Sequence, residues 1–224
     1  MSEGNLRDLC KLILAIDISN EFGSLALADG LQLLEEVPLH SSDGFSHLLF
    51  GEMSQLLKRH DVAMRDIACF AAAAGPGTFT GIRMGLTTAM GLAEACKAKV
   101  VAVSNLQALA WFGVTASRAP VIDARRGDVY GGFYNSALET SRDEIVATVD
   151  QWLAMVPADA EVITNGKPID PQGRMLTHAP RELARAVASI AAGQYAKGLA
   201  QDPGEVDANY VRRSDAANMW RDSR

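Results

Sequence analysis

The spacing of apolar and polar positions changes several times along the chain, and each change marks an element. Residues 12 to 18 (LILAIDI), 22 to 29 (FGSLALAD) and 31 to 37 (LQLLEEV) are short apolar or alternating runs separated by SNE and by Asp29-Gly30. An Asp-Gly pair between such runs is a hairpin signal, so the three predict an antiparallel meander. From Phe45 to Arg59 the residues Phe45, Leu48, Leu49, Met53, Leu56 and Leu57 recur at helical spacing and predict a helix. IACFAAAA, residues 67 to 74, is a continuous apolar run that ends at Gly75-Pro76-Gly77 and predicts a strand buried on both faces. A second helix is expected from about Phe79 to Ala98, followed by a strand over VVAVSN, residues 100 to 105.

In the second half, PVIDARRGDVYGGFY (120 to 134) predicts another hairpin, turning at Arg126-Gly127, with a third strand over 144 to 149. A short helix near Gln151 to Met155, strands over EVITN (161 to 165) and Met175 to Thr177, and a helix from Arg181 to Leu199 follow. No long linker intervenes. The boundary is placed near residue 105, giving an N-terminal lobe over 1–105 and a smaller, degenerate C-terminal lobe over 106–224 with a basic tail. The order of three strands, helix, strand, helix, strand resembles one half of the sugar kinase, heat-shock protein and actin superfold. The resulting expectation is an α/β, two-lobed, actin-like (ASKHA, ribonuclease H-like) fold with a mixed sheet flanked by helices in each lobe.

At 224 residues and 48% hydrophobic the chain is long enough for a well-buried core. No apolar stretch approaches the roughly 20 residues that span a bilayer, and LILAI runs into Asp17 too soon for a secretion signal, so a cytoplasmic protein is expected. Cys10, Cys69 and Cys96 are odd in number and widely spaced, which predicts structural thiols. A net charge of −6 works against unaided nucleic-acid binding, since phosphate neutralisation supplies most non-specific affinity. Arg212, Arg213, Arg221 and Arg224 in the tail would contribute little RNA affinity, and a mobile charged terminus is the preferred expectation there.

The stretch GPGTFTGIRMGLTTAMGLA, which opens the second helix, poses a choice of roles. A P-loop needs a second glycine followed by lysine, and a dinucleotide fingerprint needs glycine five residues after Gly75, yet that position is Thr80 and no lysine follows. A weak anion site at the helix start remains, with Thr78 as N-cap and Asp17, Gly75 and Gly77 as residual nucleotide contacts. Gly81, Gly85, Ala89 and Ala93 recur every four residues as a ridge almost without side chain. Each interior glycine costs about 1 kcal/mol of helix propensity, so close packing is expected to offset it. The ridge either seats a second polypeptide or packs on the protein's own sheet or first helix. Arg83 in the first turn opposes the helix dipole, which points either to a carboxylate or phosphate elsewhere or to a solvated arginine.

ILAIDIS at the first strand, GPGTFTGIRMGLTTAMGLA, VIDARRGDVYGGFY and, more weakly, NYVRRSDA from Asn209 together resemble the TsaB (YeaZ) family. The family supplies a small subunit of bacterial threonylcarbamoyladenosine biosynthesis in tRNA. The resemblance implies a non-catalytic subunit, a pseudoenzyme of the glycoprotease-like group. It would pair with TsaD, be joined by the ATPase TsaE, self-associate when alone, and meet tRNA only indirectly. It implies an interface built from the two N-terminal-lobe helices, with Phe45, Leu48, Leu49, Phe50, Met53, Gly81, Arg83, Met84, Gly85, Thr88, Ala89 and Leu92 as contacts. No cofactor is intrinsic on this resemblance, and any ATP or ADP would sit at the interface with the partner.

Independent catalytic equipment is sparse. The histidines at 40, 47, 60 and 178 have neither the HxxxH spacing of a TsaD-like metal site nor HExxH, so no metal is expected, and His47 is assigned to the surface or interface. Asp17 reads as a strand-end acid bonded to neighbouring amides, with a metal-water ligand of a small ATPase or kinase as the alternative. Asp123, Arg125, Arg126 and Asp128 form a structural hairpin, the arginines capping the cleft or pairing with the two acids. Phe50, Gly44 and Ser46 depart from common family residues on the proposed contact surface.

Overall fold

The computed structural model describes residues 11–207 apart from 43, 141, 167 and 168. Cys10, the tail arginines and NYVRRSDA lie outside the described residues. Two mixed sheets organise the described residues. The first contains β1 (Leu12–Asp17), β2 (Phe22–Asp29), β3 (Gln32–His40), β4 (Ile67–Ala73) and β5 (Lys99–Val103) in the order β3-β2-β1-β4-β5. The β1–β2–β3 meander is antiparallel, and β4 and β5 continue parallel to β1. Asp29 pairs with Gln32, so the hairpin turns on Gly30-Leu31, one residue beyond the expected pair, and Gly30 takes the positive φ of 55°.

The second sheet runs β11-β10-β6-β7-β9, with β8 (Tyr134–Asn135) paired to β6. Its members are β6 (Ser117–Arg125), β7 (Asp128–Gly131), β9 (Ile145–Thr148), β10 (Glu161–Thr164) and β11 (Leu176–His178). Arg125 pairs with Asp128, so the β6–β7 hairpin turns on Arg126-Gly127. Among the described residues five α-helices accompany the sheets: α1 (Leu49–Arg59), α2 (Phe79–Cys96), α3 (Asn105–Ala110), α4 (Val149–Leu153) and α5 (Ala184–Ala196).

β1 and β4 are continuous apolar runs because both faces of the first sheet are covered. Leu14, Ile16, Phe70 and Ala72 face α1 and α2, where Leu49, Met53, Ile82 and Leu86 meet them. Ile13, Ala15, Ala26, Ala28, Ala71 and Ala73 face the opposite way, against Ala184, Val187, Ala188 and Ala191 of α5. Small residues on both partners let α5 lie close to the sheet and gain dispersion contacts. Its first amides are satisfied from that sheet: Ala184 N–H donates to Ser24 Oγ (3.0 Å) and Arg185 N–H to Glu36 Oε1 (3.0 Å). Although α5 comes late in the chain, it thus packs on the first sheet, while β5 and β6 on either side of residue 105 belong to different sheets. Val206, later still, joins the core under α1 and α2.

Glu161 is a fully buried carboxylate that ties β10 to the turn before β6. Its Oε2 accepts from the amides of Val114 and Thr115, both at 2.8 Å, and its Oε1 from Thr177 Oγ1 at 2.5 Å. Burial pushes its pKa up, but the Thr177 hydroxyl and the Thr115 and Val114 amides outweigh burial and hold it below the usual range. No helix among the described residues is long and apolar enough to cross a membrane.

Candidate functional site

A cleft of about 750 Å³ opens between the two sheets. Ile18, Asn20 and Phe22 from the β1–β2 turn form one wall with Thr78 and Gly81 from the start of α2; Ile122, Asp123 and Arg125 from the β6 hairpin form the other. Arg181 closes the rim with its guanidinium 4.2 Å from the Phe22 ring centroid, and Phe22 stacks on His40 at 4.8 Å. Arg125 and Arg126 both have positive φ, 64° and 55°. Arg125 N–H donates to Asp123 Oδ1 at 2.8 Å, and only Arg125 of the two arginines reaches the cleft.

Asp17 stands beneath this cleft, fully buried and outside its lining. Its Oδ1 accepts from the amide and the hydroxyl of Ser19, at 3.0 and 2.6 Å. Its Oδ2 is sealed from solvent and is without a hydrogen-bond partner among the described residues. Burial raises the carboxyl's pKa; the Ser19 hydroxyl and amide and the nearby Leu183 amide oppose this, Glu36 adds to it, and the net direction is upward. A ligand for a metal-bound water needs a solvent-reaching oxygen, and this aspartate presents none. Gly75 is equally enclosed, with its amide donated to Asn105 Oδ1 at 2.9 Å. Of the four residues expected as residual anion contacts, Asp17 and Gly75 are therefore walled off, Thr78 lines the cleft, and Gly77 is exposed beside it. Thr78 caps α2, its Oγ1 accepting from Gly81 N–H at 3.3 Å.

The small-residue ridge of α2 faces inward, which corrects its assignment to a second polypeptide. A Cβ on Gly81 would stand 2.1 Å from the Ile18 carbonyl oxygen, and one on Gly77 would stand 2.6 Å from that of Ser19. Gly85 lies against Ile18 and Ile16, and Ala89 and Ala93 are fully buried in the same core. The glycines let the start of α2 rest on the backbone at the end of β1. Phe45, Leu49 and Met53, expected as partner contacts, are likewise core residues: β3 and β2 occupy the side of α1 from which Leu49 and Met53 project, and Phe45 is buried in the turn before it.

The remaining expected contacts lie differently. Leu48, Met84, Thr88 and Leu92 are half-buried, and Phe50 and Arg83 are exposed, as are Phe79, Thr80, Thr87 and Gly91. Arg83, the fifth residue of α2 and so just past its first turn, lays its guanidinium 3.8 Å from the Phe79 ring centroid. His47 is exposed. Cys69 is buried, its thiol pushed up to about 12 by burial alone, and is inert on that account.

Two groups of polar residues escaped the sequence pattern. Ser19 and Asn105 join β1, the glycine loop and α3 through buried hydrogen bonds. Ser104 caps α3, accepting from the Leu106 and Gln107 amides, and donates to Glu144, which also accepts from Tyr134. The Ser-Asn pair after an apolar strand is an N-cap signal and could have announced α3. The long-range partners of Asn105 and Glu144 have no local signature.

Two helix-flanked mixed sheets enclosing a cleft at the ends of their central strands define a two-lobed, actin-like protein. The family model described as "TsaD: tRNA N6-adenosine threonylcarbamoyltransferase" matches residues 36–192, well over half of the sequence, and the chain belongs to that family. It is 34% identical over 149 residues to the tRNA threonylcarbamoyladenosine biosynthesis protein TsaB of Bacillus subtilis, covering 64% of this chain and 65% of the relative. Against the protein of the same name from Escherichia coli it is 33% identical, covering 54% of each. The chain thus spans between about half and two thirds of the length of these curated relatives. The solved structure of YeaZ from Pseudomonas aeruginosa superposes with a TM-score of 0.77 at 27% identity, covering 89% of this chain and 99% of that one.

Proposed function

We propose that this chain is a non-catalytic subunit in the formation of the threonylcarbamoyl group on adenosine in tRNA, and that it acts by pairing with TsaD, with TsaE joining the pair. The family and the naming of its relatives support the pathway. The observation that carries the subunit role is the pairing of a dry, sealed Asp17 with an outer face of α1 and α2 on which Phe50 and Phe79 are 57% and 53% exposed. The contact surface is accordingly redrawn: Phe50, Phe79, Arg83 and Thr87 take the place of the buried ridge, with Met84, Thr88 and Leu92 at its margin. The same face serves self-association when the partner is absent, any ATP or ADP is held at the seam, and tRNA is engaged through the partner.

Gel filtration of the chain with a TsaD from the same source tests this reading. Co-elution is expected, and Thr87→Glu, which puts a charge on the outer face without touching the core, is expected to weaken it by about tenfold or more, or about 1.4 kcal/mol. Magnesium-ATP turnover by the lone chain that disappears in Asp17→Asn would replace this reading with that of a small ATPase or kinase.

A further inference from the structure

The outer face of α2 is useful to a partner only if the helix is held in one pose, and the loop that launches it is tethered by two residues that no partner can touch. Ser19 and Asn105 are 1% and 2% exposed. Asn105 grips Gly75 twice: its Oδ1 accepts from Gly75 N–H at 2.9 Å and its own N–H donates to the Gly75 carbonyl at 2.7 Å. Its Nδ2 donates to Ser19 Oγ at 2.6 Å, and that hydroxyl donates onward to Asp17 Oδ1 at 2.6 Å. At the other end of the loop, the Ser19 carbonyl accepts from Thr78 N–H at 2.7 Å. Residues 75 and 78, the two ends of the launch, are thus fixed by one buried relay. Beyond it, Gly77 and Gly81 lean on the backbone of Ser19 and Ile18.

A helix magnifies errors at its start. α2 has 18 residues and is about 27 Å long, so a tilt of about 10° at the loop would carry its far end about 5 Å. That is enough to break the register of any surface packed along it.

We infer that Ser19 and Asn105 are positioning residues for the partner-facing surface of α2, acting through the Gly75–Thr78 loop without contacting the partner. The inference rests on the pairing with TsaD proposed above. The relay also gives Asp17 a role that needs no chemistry, as the buried acceptor on which the Ser19 hydroxyl is oriented.

The test compares Ser19→Ala and Asn105→Ala with Val162→Ala, a core truncation in the second sheet remote from the relay. Affinity for TsaD is measured by calorimetry well below each unfolding midpoint, and amide exchange is followed across residues 75–80. Both relay variants should exchange faster there and bind at least about tenfold more weakly, whereas Val162→Ala should lower the midpoint yet bind within about twofold of the unsubstituted chain. If Asn105→Ala does not fold, Ser19→Ala, which deletes a single hydroxyl, carries the comparison. Undiminished binding by the relay variants, unchanged loop exchange, or an equal loss in Val162→Ala overturns the inference while the pairing stands. Failure of the unsubstituted chain to bind TsaD overturns the pairing itself and this inference with it.

Discussion

At Asp17 the surroundings set what the carboxyl can do. Dry on every side and facing Glu36, it holds its proton more tightly in the folded chain than in the unfolded one. The folded state therefore binds more protons than the unfolded state as pH rises above the ordinary carboxylate range, and stability falls as pH climbs through the raised value. Asp17→Asn keeps an acceptor for the Ser19 amide and hydroxyl and removes the buried charge. Its unfolding midpoint is expected to gain on that of the unsubstituted chain with each step from acid toward neutral pH. A midpoint difference that stays flat across this range would mean the carboxyl is not the titrating group. Glu161 is the opposite case, since three donors more than compensate its burial and keep it ionised.

At the scale of the element, α2 uses glycine in two ways that its sequence does not distinguish. At Gly81 the Ile18 carbonyl occupies the place of a Cβ, and at Gly91 nothing lies within 4 Å. Gly81→Ala should therefore cost about 1–3 kcal/mol or more through overpacking against a backbone that cannot move aside. Gly91→Ala should stabilise by about 0.5–1 kcal/mol, because it relieves only the entropy of a helical glycine. Urea titration of the two variants gives both values, and equal effects would show that the α2–β1 approach is looser than 2.1 Å implies. The periodicity Gly81, Gly85, Ala89, Ala93 was legible as a close-packing ridge. Which surface it packs on was not, because a small-residue stripe has the same spacing whether a strand of its own lobe or another chain lies against it.

At the scale of the whole molecule, the two sheets share material. Ile163 of β10 and Leu183 lie in one core with Ala71, Val101 and Ala188, and Val206 closes the core on the far face of the first sheet. Removing everything after residue 105 would bare the alanine face of β1, β2 and β4. The sheets are therefore expected to unfold together, so that tryptophan fluorescence, which includes Trp111 in the shared core and Trp152 in the second-sheet core, and far-ultraviolet circular dichroism give coincident urea transitions. Two separated transitions would show that the second sheet stands alone.

The elements themselves follow from local physics: continuous apolar runs for β1 and β4, helical spacing for α1 and α2, a type of turn for each Gly-containing hairpin. The family motifs were equally visible, because each is a short contiguous string. Tertiary structure alone decided that Asp17 is dry, that the glycine ridge faces Ile16 and Ile18, that α5 returns to the first sheet, and that Asn105 reaches back to Ser19 across 86 positions. Burial and long-range hydrogen bonds depend on what the rest of the chain places against a residue, and no local pattern carries that information.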